Sequence, residues 1–251
     1  MYLPNDEDDD EILLDAMNHT TNLPLALRTV RNITVSVPQS IYGLAPPILL
    51  SLLRLPQINS LKTGLVQEIE DSFPVLHHST STVTKLEIEF PCSYTTLLHM
   101  LQMPKALTHL SYRRSSLEMD LTPEMLGSAL KPVRSSLEHL DIDFEDSLDE
   151  DMDPPHARIS SLRLWPALRS LKCPLTLLLG SGLPENSLRL VEDEEMVRQV
   201  VELLHGKSFV APALQVLTIS SVWRLKPQDV EKLKAVREAV VVKVVMESME
   251  Y

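Results

Sequence analysis

Leu137-Glu138-His139-Leu140-Asp141-Ile142 places apolar residues at its first, fourth and sixth positions and polar ones between them. The same block recurs as Val83-Thr84-Lys85-Leu86-Glu87-Ile88, Leu107-Thr108-His109-Leu110-Ser111-Tyr112, Leu168-Arg169-Ser170-Leu171-Lys172-Cys173 and Leu214-Gln215-Val216-Leu217-Thr218-Ile219. Weaker copies are Val30-Arg31-Asn32-Ile33-Thr34-Val35 and Ile58-Asn59-Ser60-Leu61-Lys62-Thr63, with a truncated one around Ser187-Leu188-Arg189-Leu190. The Leu-x-apolar end of each block fits alternate positions of a short strand. Both apolar side chains then share one face, and the residue between them takes the other.

Anchored on Val30, Ile58, Val83, Leu107, Leu137, Leu168, Leu188 and Leu214, the blocks step by 28, 25, 24, 30, 31, 20 and 26 residues. That is irregular leucine-rich-repeat spacing. One such strand cannot bury its apolar face alone, but stacked parallel copies can if each returns through a helix or irregular segment. Candidate returns with apolar residues at helical spacing are Pro46 to Leu55, Tyr94 to Leu101, Thr122 to Val133, Glu192 to Leu204 and Pro227 to Ala239. Thr122 is placed to cap the third, with Pro123 at its first helical position. Val241-Val242-Lys243-Val244-Val245 closes the stack as a terminal strand. The predicted fold is therefore α/β: an irregular leucine-rich-repeat solenoid, parallel sheet on one side and helices or irregular segments on the other. It should be an elongated, curved monomer.

Composition narrows the function. Over 251 residues, 23 basic against 35 acidic side chains leave a net charge of −12. A field of that sign repels phosphate backbones, which argues against nucleic acid as a partner. Cys92 and Cys173 form no CxxC pair, and free buried thiols are the expected state. The opening acidic run Asp6 to Glu11 lacks the basic and apolar regions of a secretory signal, so an intracellular location, cytoplasmic or nuclear, is expected. Ile41 to Leu53, the longest apolar stretch, is too short for a membrane span and contains Pro46-Pro47. Residues 1–22 read as an acidic, disordered tail and 23–251 as one repeat domain, interrupted by an acidic Pro-containing loop at 146–155.

From Ile159 to Gly180 the blocks join into a longer pattern, Ile159-Ser160-Ser161-Leu162-Arg163-Leu164-Trp165-Pro166-Ala167-Leu168-Arg169-Ser170-Leu171-Lys172-Cys173-Pro174-Leu175-Thr176-Leu177-Leu178-Leu179-Gly180. It continues through Asp193 to Leu204 and on to Val210-Ala211-Pro212-Ala213-Leu214. This resembles the irregular leucine-rich-repeat region of fungal F-box-like proteins, over roughly Val83 to Val245. The resemblance implies a substrate-recognition subunit of a ubiquitin ligase, although no F-box is visible ahead of the first block.

Other groupings read as structural. His77, His78, His99 and His109 fall in a loop, a helix and a strand with no carboxylate or thiolate at metal-ligand spacing. Asp141-x-Asp143-x-Glu145 starts like a calcium loop, but Asp146 stands at the turn-glycine position and Met152 at that of the closing Glu. Gly206-Lys207-Ser208 follows a helix where a phosphate loop would precede one, and Gly180-Ser181-Gly182 makes no nucleophile elbow. Trp165 and Trp223 read as core-edge packing before binding anchors.

No catalytic, metal or cofactor site is therefore expected, and an enzyme with a site assembled from distant residues is the outlying alternative. The leading expectation is a scaffold that binds a protein partner through outward strand positions. These are Thr34, Ser36, Lys62, Glu87, Glu89, Ser111, Arg113, Asp141, Asp143, Lys172, Thr218 and Ser220. Glu87, Glu89, Asp141 and Asp143 around Arg113 suggest a mostly acidic strip that suits a basic partner, with Lys172 and Thr218 extending the surface.

Overall fold

A computed structural model describes residues 29–35, 46–64, 79–89, 93–114, 121–144, 162–174, 198, 200–202, 204–205, 211–221 and 243–248. The strands are β1 (Asn32–Val35), β2 (Ser60–Thr63), β3 (Lys85–Ile88), β4 (His109–Arg114), β5 (His139–Phe144), β6 (Ser170–Pro174), β7 (Val216–Ser221) and β8 (Lys243–Ser248). They form one open, eight-stranded sheet in the order β1 to β8, every neighbouring pair parallel. The fold class is α/β. Parallel neighbours cannot be joined by a tight hairpin, so each strand needs a crossover. Three crossovers contain the helices α1 (Pro46–Leu53), α2 (Tyr94–Gln102) and α3 (Pro123–Ala129).

Register follows the apolar blocks. Ile33, Leu61, Leu86, Leu110, Leu140, Leu171, Leu217 and Val244 occupy one row across the sheet. From Leu61 to Leu217 the leucines of this row are buried, and Leu61, Leu86 and Leu217 are fully so. Two residues on, Ile88, Tyr112, Ile142 and Cys173 form a second buried row. Leu61 to Leu217 of the first row and all of the second belong to one buried cluster with Leu49, Leu50 and Leu53 of α1, Leu97, Met100 and Leu101 of α2 and Leu126 and Ala129 of α3. The period-two alternation of the strands and the helical periodicity of the returns thus meet in one apolar layer.

A backbone detail pins the register at the start of every strand from β2 to β7. The carbonyl of Arg31 accepts from Asn59 N–H at 2.7 Å and Ser60 N–H at 3.0 Å. The Asn59, Thr84, Thr108, Glu138 and Arg169 carbonyls each likewise accept from two consecutive N–H groups of the next unit. A one-residue slip would break this ladder and turn the leucine row to the opposite face. Hydroxyls add cross-links, with Thr82 Oγ1 donating to the Ile58 carbonyl at 2.7 Å and Ser136 Oγ to the Leu107 carbonyl at 2.8 Å.

The helices start and stop for local reasons. Ser93 Oγ accepts from Thr96 N–H at 3.2 Å at the start of α2, and Thr122 Oγ1 accepts from Met125 N–H at 3.3 Å at the start of α3. The single return expected over Thr122 to Val133 divides into α3 and a 3-10 turn, Lys131–Val133. The ladder ends with Leu130 N–H on the Leu126 carbonyl, and Pro132, which has no N–H, cannot resume it. Arg134 then bridges to the next unit, donating from Nη2 to the Gly127 carbonyl at 2.8 Å with its guanidinium 5.4 Å from the centre of the Trp165 ring. Trp165 is buried, in agreement with its core-edge reading.

β6 pairs directly with β7, and the block at Leu188 lies outside the described residues. One expectation is corrected. The terminal strand runs Lys243–Ser248, displaced toward the C-terminus from the five-residue run at Val241 to Val245. Arg198, Val200, Val201, Glu202 and Leu204 are helical within the expected Glu192 to Leu204 return, as is His205 just beyond it, with Val200 and Leu204 buried. The tail at 1–22, the acidic loop at 146–155 and the return at Pro227 to Ala239 lie outside the described residues, as do Cys92, His77, His78 and Trp223. Among the described residues no helix is long and apolar enough to cross a membrane.

Candidate functional site

Burying the leucine row sends the alternate residues to the other face of the sheet. In the middle row of that face stand Thr34, Lys62, Glu87, Ser111, Asp141, Lys172 and Thr218, in direct register. All but Thr34, which is exposed, are half-buried. One pleat further along, Arg113 and Asp143 are register partners, and Glu89 N–H bonds to the Thr63 carbonyl one strand back. Ser220 takes the corresponding place on β7 opposite Pro174, and Ser36 lies outside the described residues. The strand alternation thus brings Lys62, Glu87, Ser111, Arg113, Asp141, Asp143, Lys172 and Thr218 onto one face.

Its charge differs from the expected acidic strip. Lys62 Nζ lies 2.6 Å from Glu89 Oε1 and 4.0 Å from Glu87 Oε2, and Lys85 Nζ lies 2.6 Å from Glu87 Oε1. The hydrogen bond from Lys85, reinforced by the Lys85, Lys62 and Arg113 charges and opposed by partial burial, holds the Glu87 carboxyl below the usual carboxylate range. Lys62, Lys85, Arg113 and Lys172 balance Glu87, Glu89, Asp141 and Asp143, so the face is mixed and not predominantly negative. The acidic residues of the expected strip stand on β3 and β5, and β2 and β6 bring lysines alongside them. Among the described residues no ion pair within 4.0 Å joins Arg113 to Asp143, although they are neighbours in register.

The sheet also assembles a row that was not singled out. Lys85, His109, His139 and Ser170 align across β3 to β6, two residues before the middle row and on the same face. The rings of His109 and His139 stack, with centroids 4.1 Å apart and planes 15° from parallel. Extending the outward alternation one step toward each strand's start would have found both residues. Their stacking depends on pairing β4 with β5, which no local pattern states. Burial, followed by the His139 and Lys85 charges and opposed by Glu138, lowers the proton affinity of His109.

Facing the other way, Cys173 is wholly buried, and burial together with the Asp141 charge pushes its thiol up to about 12. That suits an inert core residue and not a nucleophile. Of the histidines first considered together, His99 lies on α2 and His109 on β4. Among the described residues no group of three or more His, Cys, Asp or Glu side chains is placed to hold a metal ion. No protein-family model matches the sequence, and no curated protein matches it either.

Proposed function

We propose that this chain is a non-catalytic protein-binding scaffold of leucine-rich-repeat type, with the outer face of its parallel sheet as the contact surface. Support comes from the strictly sequential strand order and the unit-to-unit carbonyl ladder, which present short strands side by side as repeat arrays do. The observation that carries the reading is Arg113 and Asp143. Both stand on the outer face in register, exposed and half-exposed respectively, without an ion pair to one another. A partner offering a carboxylate and a cation at matching spacing would satisfy both. Such complementarity acts mainly on association rate and specificity. The mixed charge argues for a partner surface that carries both signs, not one that is merely basic.

The test is quantitative capture of bound protein by the wild-type chain and by charge-reversed forms. Arg113→Glu and the pair Asp141→Lys with Asp143→Lys should each slow association and change its salt dependence. Lys131→Glu, at an exposed position in the 3-10 turn on the helix side, should not. Equal loss from the Lys131 variant, or none from the outer-face variants, would remove this face as the contact surface.

A further inference from the structure

The stacked histidine pair sits at the strand-start side of the proposed contact surface, and its chemistry can be read from its neighbours. Thr108 Oγ1 lies 3.1 Å from the Thr84 carbonyl and 2.9 Å from His109 Nδ1. The Thr84 carbonyl already accepts from Thr108 N–H and His109 N–H, so the hydroxyl can donate to Nδ1 or accept from it according to the ring's tautomer. A bidentate metal site does not suit the pair, since near-parallel rings 4.1 Å apart direct their lone pairs side by side without convergence.

Face-to-face imidazoles are suited to sharing one positive charge. An imidazolium over a neutral ring is attracted by the ring's π-system, whereas two imidazolium rings at 4.1 Å repel. The surroundings are charged on every side. Lys85 on β3 is the register partner of His109, with its ammonium on Glu87. Beyond His139 lie Ser170 and Lys172 of β6, and Arg169 Nη1 is held 3.4 Å from Glu138 Oε2 beside the pair. Ser111 and Asp141 follow on the pair's own strands. Protonation would link Lys85 to the pair in an unbroken cationic row.

We propose that His109 and His139 form a coupled pair that takes up a single proton between them as pH falls below neutrality, adding positive charge to the contact surface and making partner binding pH-dependent. The titration concerns this chain alone. The effect on binding rests on the scaffold reading above.

Nuclear magnetic resonance of the imidazole carbons and nitrogens, from about pH 8 to about pH 4, tests the pairing in the full chain. The expected result is two-step titration of both rings, the steps separated by at least about tenfold in proton affinity. In His139→Gln, His109 should titrate in one step at higher pH than its second step in wild type, and His109→Gln should do the same for His139. Independent single-step curves, unchanged by removing the neighbouring ring, overturn the pair. The second arm compares retention of bound protein at about pH 7.5 and about pH 5.5 by wild type and by His139→Gln. A pH-dependence that the variant weakens supports the switch. Coupled titration with pH-independent retention overturns the switch while sparing the scaffold reading, and no retention at either pH overturns both.

Discussion

Replacing Leu110 by Ala tests the central packing claim, that one leucine row holds successive strands together. Leu110 is only 2% exposed and lies in register between Leu86 and Leu140, both buried. The change removes three carbons. At about 0.8 kcal/mol per buried CH2, the lost transfer energy is about 2.4 kcal/mol. Leu86 and Leu140 are fixed by their own strands and cannot close fully over the gap, so a cavity term brings the total to about 3–4 kcal/mol. With a urea dependence of about 2 kcal/mol per molar, the unfolding midpoint should fall by about 1.5–2 M. The comparison is Ser111→Ala one residue on, which faces the opposite side of the sheet and should change stability by no more than about 0.5 kcal/mol. Urea unfolding followed by circular dichroism measures both. A Leu110 variant within about 1 kcal/mol of wild type, or a Ser111 variant as damaging as Leu110→Ala, would falsify the inward and outward assignment on which the proposed surface depends.

Four further outcomes are expected. Thr122→Ala removes the hydroxyl that accepts from Met125 N–H and should cost about 1 kcal/mol in the same unfolding assay, whereas Thr122→Ser should retain most of the stability. Cys173, buried and with its thiol pushed up to about 12, should resist alkylation at mildly alkaline pH in the folded chain and react once urea unfolds it, as peptide mapping of the labelled site will show. Because the proton affinity of His109 is lowered in the fold, the unfolded chain binds more protons as pH falls through its ordinary value of 6.5. Stability should therefore be fully present above that pH and decline below it, and His109→Gln should flatten this part of the profile. Glu87, also depressed, contributes stability that is present above its ordinary value of 4.5 and lost as pH falls further, a separate acidic limb that Glu87→Gln should reduce.

The sequence by itself determined the strands, the side each residue faces, and the starts of the helices, because these depend on neighbours a few positions away. Leu137 to Ile142 already states that Leu140 and Ile142 go in and Asp141 goes out, and Thr122-Pro123 already states where α3 begins. Tertiary structure decided which strands lie side by side, and with that the chemistry of the outer face. Lys62 neutralises Glu89 only because β2 pairs with β3, and His109 meets His139 only because β4 pairs with β5. The physical reason is common to both. Alternation along a strand is a local property of the chain, whereas a contact between strands depends on register and on what each crossover permits, to which no single block refers.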